Sequence, residues 1–287
     1  MEPIQKAYAK INLSLDIIKR LSSGYHKIES VIQELELHDI IKLKKIEKGI
    51  KLKCNINICP ANENLAYKAA DLLIKKFKIS RGVEITIEKN IPVAAGLGGG
   101  SSDAAATLKG MNKLFNLNLP EEKLIKLSSD IGMDVAFCLS GGIAYVSRFG
   151  TELKKIEKIP NFYVVLAKPK FNISTEDAYN NLDYEKTGKQ LKTAQMLDAI
   201  KEKNIKKIAE SMHNDFEYSV CKKYPIINEI KQKIIKNGAL NALMSGSGPT
   251  VFGITQLKAV AENISNSLKE NPYFKENLDF VCVTQTR

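Results

Sequence analysis

The residues best suited to chemistry form one run, Ile91-Pro92-Val93-Ala94-Ala95-Gly96-Leu97-Gly98-Gly99-Gly100-Ser101-Ser102-Asp103. Four glycines in five positions lead into an alanine-rich helix start, Ala104-Ala105-Ala106. Glycine permits positive φ and lets backbone come close to a ligand. The amides of a first helical turn lack helical partners, and the aligned peptide dipoles favour an anion there. Ser101 and Ser102 add hydroxyl donors, so Pro92 to Ser102 reads as a phosphate cradle. Two common phosphate loops are excluded. GxxxxGK[ST] needs lysine where Gly100 stands, and GxGxxG counted from Gly96 needs glycine where Ser101 stands. The plainer alternative is a flexible turn with a serine N-cap. Asp103 suits a helix N-terminus but would repel a phosphate, so its side chain is expected to point away.

A second glycine turn, Met244-Ser245-Gly246-Ser247-Gly248-Pro249, joins two apolar segments late in the chain. Placed on a separate lobe, it implies a ligand gripped from both sides. The elements that must hold these loops follow from periodicity. Residues 7–18 alternate, with Ala9, Ile11, Leu13, Leu15 and Ile17 on one face of a strand and Lys10, Asn12, Ser14 and Asp16 on the other. Strands are also expected at 27–36, 39–46, 50–58 and 83–88. Helical spacing covers 64–77, capped by Asn62 or Asn64, then 101–115 and 121–131. Beyond 151 the pattern gives a strand at 162–167 and helices near 175–182, 189–200, 203–213 and 225–236. Strands at 240–244 and 250–255, a helix at 256–269 and a strand at 279–285 complete it. Without regular βα alternation, the expectation is an α+β fold of two lobes, 1–152 and 153–287. The basic stretch 154–158 and Pro160 are the linker signals.

Composition narrows the class. A chain of 287 residues makes one large domain or two ordinary ones. Its 44% hydrophobic and 26% charged residues exclude wholesale disorder. No run approaches the roughly 18–20 apolar residues of a spanning helix. No secretory signal opens the chain, so a cytoplasmic protein is expected. The five cysteines form no CxxC pair, and reduced thiols are expected. With 43 basic against 32 acidic side chains the net charge is +11, which invites an anionic partner, a nucleic acid or a phosphorylated ligand. The lysines are scattered, as on a solvated surface. Aromatics at 7% with no tryptophan speak against an RNA-binding module. No His/Cys/Asp group has metal-ligand spacing, His38 and His213 read as structural, and no residue is assigned to a metal.

Three segments in order resemble the GHMP kinase superfamily: Ala9-Lys10-Ile11-Asn12-Leu13, Pro92 to Ser102, and Leu243-Met244-Ser245-Gly246-Ser247-Gly248-Pro249. Gly24-Tyr25-His26, the triple glycine and Ile131-Gly132-Met133-Asp134-Val135 narrow the likeness to members acting on a cytidine-diphosphate-linked methylerythritol in non-mevalonate isoprenoid synthesis. Tyr8, Ser23 and Ala136 depart from the usual pattern, and none removes a functional group. The resemblance implies an N-terminal, ATP-binding lobe of the ribosomal-protein-S5-like type and a C-terminal α+β lobe, with the active site in the cleft. It implies transfer of the ATP γ-phosphoryl group to the tertiary C2 hydroxyl, by a monomer or homodimer that binds neither nucleic acid nor membrane.

Residue roles follow from the same resemblance. Asp134 would be the base, where the plainer reading is an N-cap aspartate. Lys10 would keep Asp134 ionised and stabilise developing charge, where the plainer reading is a solvated lysine on a half-exposed strand. Pro92, Val93, Ala94, Ala95, Gly96, Leu97, Gly98, Gly99, Gly100, Ser101 and Ser102 would hold ATP. Asn12 would position the substrate. Tyr25 would stack on cytosine and His26 would bond its edge, with Tyr179 as a second face and Thr175 a further contact. Mg²⁺ would arrive with ATP, held mostly by phosphate oxygens and water. Asn64, Leu65 and Lys89 are positional candidates for the adenine. The competing reading within the superfamily is a kinase of a smaller alcohol such as homoserine or mevalonate, which gives no use for a base-stacking tyrosine.

Overall fold

The computed structural model describes residues 2–20, 26–148 and 152–287. The chain packs as two compact units, one of Met1–Ala9, Leu37–Val93 and Gly98–Gly141, the other of Lys10–Glu36, Ala94–Leu97 and Gly142–Arg287. They interleave in sequence, each drawing on three segments of the chain. Both mix helices with sheet, the α+β class expected.

Two long strands, β1 (Ile4–Arg20) and β2 (His26–Ile46), contribute to both units. In the first unit β2 pairs antiparallel with β4 (Gly82–Glu88), which pairs parallel with β3 (Ile50–Cys54). The strand expected over 50–58 ends at Cys54. The Asn55 side chain takes over the ladder, accepting from the Lys89 amide at 2.8 Å and donating to the Lys89 carbonyl at 3.3 Å. Ile56 is left exposed.

Helix α1 (Leu65–Phe77) starts where Asn64 Oδ1 accepts from the Ala66 amide at 2.9 Å, a side-chain cap. It packs on α2 (Gly99–Leu114), and the buried alanines of the two helices, Ala66, Ala69 and Ala70 and Ala104, Ala105 and Ala106, belong to one core. A Cβ on Gly110 would stand 2.0 Å from Leu43 Cδ1, so α2 lies flush on β2. Helices α3 (Glu121–Ser128) and α4 (Val135–Ser140) complete this unit. The helix expected to reach 131 stops early because Ser128 and Ser129 turn their hydroxyls back onto the carbonyls of Ile125 and Lys126.

In the second unit β1 is covered on both faces. Ile11 and Leu13 are fully buried, but Lys10, Asn12, Ser14 and Asp16 are no more than 5% exposed. Over residues 9–17 the strand is buried on both faces, against the plainer reading of Lys10, and its polar row must find partners. Strand β5 (Ile143–Arg148) pairs with β2 and with β6 (Glu152–Lys155), so part of the basic stretch read as linker is sheet. There follow β7 (Tyr163–Pro169), α5 (Thr175–Asn180), α6 (Thr193–Lys201), α7 (Ile205–Glu210), β8 (His213–Asn214) and α8 (Glu217–Lys223). The chain closes with α9 (Ile226–Lys236), β9 (Asn241–Met244), β10 (Val251–Thr255), α10 (Lys258–Glu270), α11 (Pro272–Asn277) and β11 (Leu278–Gln285). Strands β11, β7, β10 and β9 make an antiparallel sheet in that order, cored by Val165, Ala167, Ile230, Ile234 and Ile264. Among the described residues no helix is long and apolar enough to cross a membrane, and no disulfide joins any of the cysteines.

Candidate active site

In the first unit the glycine run opens α2 with Gly98 at φ +69° as the N-cap. This residue has no side chain to fold onto the first-turn amides, and the Ser102 amide closes the turn on the Gly98 carbonyl at 2.9 Å. Ala95, Leu97 and Ser102 are buried while Val93, Ala94 and Gly100 are exposed. Asp103 is buried and its Oδ2 accepts from Lys89 Nζ at 2.8 Å. Lys89 also pairs with Asp39, whose Oδ1 accepts from the Asn90 amide at 2.5 Å and the Ile91 amide at 2.8 Å. This buried triad ties the entry of the run to α2, the helix that leaves it. Burial, reinforced by Asp39, outweighs the pull of Lys89 and raises Asp103 to about 8. Burial disfavours the charged form of Lys89, but Asp103 and Asp39 outweigh it and hold the ammonium above its ordinary value. Lys89 thus spends its charge inside the protein. Asn64, the other polar candidate for adenine, spends its carbonyl on capping α1.

Asp134 occupies the N-cap position of α4, yet its carboxylate makes no capping hydrogen bond. The turn that carries it lies beside the glycine run, since a Cβ on Gly132 would stand 3.9 Å from Ser101 Oγ.

In the second unit Lys10 Nζ donates to Asn12 Oδ1 at 2.8 Å, and Asn12 Nδ2 donates to Ser30 Oγ at 2.8 Å. The Lys10 amide donates to the Leu97 carbonyl at 3.0 Å. Ser245 Oγ donates to the Gly96 carbonyl at 2.9 Å. A Cβ on Gly246 would stand 3.4 Å from both Lys10 Nζ and Asn12 Oδ1. Thr175 Oγ1 and Ser247 Oγ lie 3.2 Å apart. Lys10, Asn12, Gly96 and Thr175 are therefore gathered around the second glycine turn. Residues 94–97 of the first glycine run belong to the same unit as that turn, while Pro92, Val93 and Gly98 to Ser102 belong to the other unit.

His26 stacks on Tyr179 with centroids 4.7 Å apart and planes 20° apart, and its Nε2 hydrogen-bonds Tyr184 Oη at 2.9 Å. Burial, then the charge of Arg20, lowers the His26 pKa, so the ring is neutral at pH 7 with one donor and one acceptor nitrogen. Tyr179 is held edge-on by Phe216 at 4.9 Å. Tyr25 lies outside the described residues.

The GHMP kinases N terminal domain matches residues 64–142, and the GHMP kinases C terminal domain matches 196–273. The chain is 43% identical over 284 residues to a Clostridium botulinum (strain Kyoto / Type A2) 4-diphosphocytidyl-2-C-methyl-D-erythritol kinase, with 99% of each chain covered. The chain belongs to the GHMP kinases. A solved 4-(cytidine 5'-diphospho)-2C-methyl-D-erythritol kinase shares the fold of this GHMP kinase with a TM-score of 0.84 and 27% identity over 99% of both chains. Homoserine kinase from Cytophaga hutchinsonii gives a TM-score of 0.75 at 20% identity, over 100% of this chain and 95% of that one, a likeness of fold alone.

Several residues around the site of this GHMP kinase escaped sequence reasoning. Asn214 Nδ2 donates to the carbonyls of Met244 and Gly246, both at 2.8 Å, and Glu217 Oε1 accepts from the Met244 amide at 2.7 Å. The one signal was the polar run His213-Asn214-Asp215, which is unsuited to the end of the apolar-periodic helix expected at 203–213. Tyr184 gave no signal in the sequence. His213, read as structural, has Nε2 3.0 Å from Asp215 Oδ1 and 3.9 Å from Asp16 Oδ1.

The glycine run supports a direct test. Gly96 sits at φ +75°, and a Cβ there would meet the Ser245 carbonyl oxygen at 2.1 Å. Gly96→Ala should lower stability by at least about 1–3 kcal/mol in urea titration, the usual range for a strained backbone. On Gly100 a Cβ would meet nothing nearer than Leu65 Cδ1 at 3.6 Å. Gly100→Ala should therefore stay within about 0.5 kcal/mol of the parent.

Proposed function

We propose that this GHMP kinase transfers the γ-phosphoryl group of ATP to the C2 hydroxyl of 4-diphosphocytidyl-2-C-methyl-D-erythritol, in the cytoplasm, serving non-mevalonate isoprenoid synthesis. The observation that carries the reading is the 43% identity over 99% of both chains to a relative bearing that name. The packing of His26 on Tyr179 supports it, because a neutral imidazole beside an aromatic face suits a cytosine edge. In sequence terms, residues 1–152 would carry the nucleotide and 153–287 the C-terminal lobe.

The chain's groups fit a triphosphate. Gly98 leaves the first-turn amides of α2 without a side-chain cap, and the Asp103 side chain is held by Lys89 inside the protein. Pro92 to Ser102 would hold ATP through these amides and the Ser101 hydroxyl. Mg²⁺ carried with ATP, held mostly by phosphate oxygens and water, supplies neutralisation of phosphate charge. Asp134 would accept the proton of the C2 hydroxyl as the new O–P bond forms and the bond from the γ-phosphorus to ADP breaks. Lys10 would stabilise charge on the oxygens in transfer, held in place by Asn12 through the 2.8 Å bond. Asn12 has a second amide hydrogen for the substrate. Tyr25, His26, Tyr179 and Thr175 would bind the cytidyl end.

A panel of alcohols with ATP, read as ADP release, tests the reading. Turnover of the cytidyl alcohol and not of homoserine or mevalonate is expected, and the reverse would overturn it. A second measurement concerns Tyr184, which occupies His26 Nε2 and must be displaced by a cytosine edge. A net hydrogen bond is worth about 0.5–1.5 kcal/mol. Tyr184→Phe should therefore lower KM for the cytidyl alcohol about 2- to 10-fold at unchanged kcat.

A further inference from the structure

Within the second unit, Asp16, His213 and Asp215 each offer one ligand atom, and these atoms all lie within 4.8 Å of one another. Both aspartates are fully buried, and His213 is only 13% exposed at its side chain. Asp215 Oδ2 accepts from the Ile17 amide at 2.7 Å and the Gly188 amide at 3.1 Å, and its Oδ1 is hydrogen-bonded to His213 Nε2 at 3.0 Å. Asp16 repeats the arrangement. Its Oδ2 accepts from the Thr193 amide at 2.8 Å, while its Oδ1, 3.9 Å from His213 Nε2, is buried and accepts no hydrogen bond.

Backbone amides thus fix one oxygen of each carboxylate and aim the other into the same small space. A buried carboxylate oxygen without a donor is costly, and a second carboxylate close by adds to the cost. A cation there would supply what the Asp16 oxygen lacks. Ligand atoms about 2.1 Å from a zinc ion sit roughly 3.0–3.4 Å apart, so the His213 and Asp215 atoms are already spaced for it. The Asp16 oxygen needs only a small approach. One imidazole with two carboxylates is a mixed set that suits zinc or manganese better than magnesium or copper(I). The amides of Ile17, Gly188 and Thr193 form the supporting layer that orients such ligands. A pocket of about 410 Å³, lined by Glu217, Tyr218, Lys186 and Lys222 among others, opens onto His213.

We propose that Asp16, His213 and Asp215 bind a divalent transition-metal ion, zinc or manganese, as a structural staple that ties β1 to β8 and to the segment before α6. The site takes no part in the phosphoryl transfer proposed above and does not depend on it.

The test uses the full chain, stripped with chelator and free of nucleotide, dialysed against zinc, with manganese and cobalt in parallel. One equivalent per chain is expected from zinc or manganese. Cobalt should show a visible spectrum of nitrogen and oxygen ligation without a thiolate charge-transfer band. His213→Gln and Asp16→Asn should each weaken binding by roughly 10-fold or more, the usual scale for disturbing a metal site's support. Asn at position 16 can still accept from the Thr193 amide, and circular dichroism reports folding of both variants. No binding, a thiolate band at one equivalent, or parent-like affinity in a folded His213→Gln variant would overturn the proposal.

Discussion

Asp134→Asn should lower kcat by about 10²- to 10⁴-fold, the range a positioned general base contributes, while Kd for ATP and for the cytidyl alcohol stays within a few-fold. The split follows from where Asp134 sits. It stands before α4 in the position where aspartate is most often a cap, but its carboxylate caps nothing. Asparagine there loses no capping bond to α4. What changes is the ability to take a proton from a tertiary alcohol, a poor nucleophile while protonated. Single-turnover kinetics beside equilibrium binding would separate the two effects. A kcat within a few-fold of the parent would remove Asp134 from the chemistry. A loss of folding stability beyond about 1 kcal/mol would make it a structural residue instead.

What the sequence made legible, and what it hid, divides along physical lines. The alternation of β1, the Asn64 cap and the alanines of α1 and α2 are local signals, and the structure keeps them. The glycine run was legible because few folds tolerate four glycines at a helix start without a use for bare backbone. What was hidden is nonlocal. The polar face of β1 looks solvent-facing on the page, because alternation alone cannot say that a second layer covers it. Once it is covered, Lys10, Asn12, Ser14 and Asp16 must pair, and their partners Ser30 and Thr193 lie 18 and 179 positions away. Likewise Lys89 is one lysine among many in a basic chain. Its meaning depends on Asp39 and Asp103, separated from it by 50 and 14 positions. The strand ends were misread where a side chain replaced the backbone ladder, as Asn55 does after β3.

Lys89→Met should destabilise the protein by about 3–5 kcal/mol, the cost of removing one partner from a buried ion pair. The methionine fits the space of the lysine stem, so the loss is electrostatic. Asp39 and Asp103 would remain buried with no cation between them. The effect must therefore depend on pH. Asp103 already titrates near 8 in the parent, far above the carboxylate of an unfolded chain at about 3.9. A raised folded pKa means that the folded state holds a proton the unfolded state has released. Stability from this source is complete below about pH 4 and is lost as pH rises through 8. Without Lys89 the pull toward ionisation is gone, so the Lys89→Met penalty should be larger at pH 8.5 than at pH 6 in urea titrations. Adding Asp103→Asn should recover part of the loss at the higher pH, because one of the stranded charges is removed. ATP binding should weaken in the single variant as well, since the triad joins the residues entering the glycine run to the helix that leaves it. A penalty under about 1 kcal/mol, flat with pH, would be the behaviour of a surface pair, and would mean that the triad does not hold the loop.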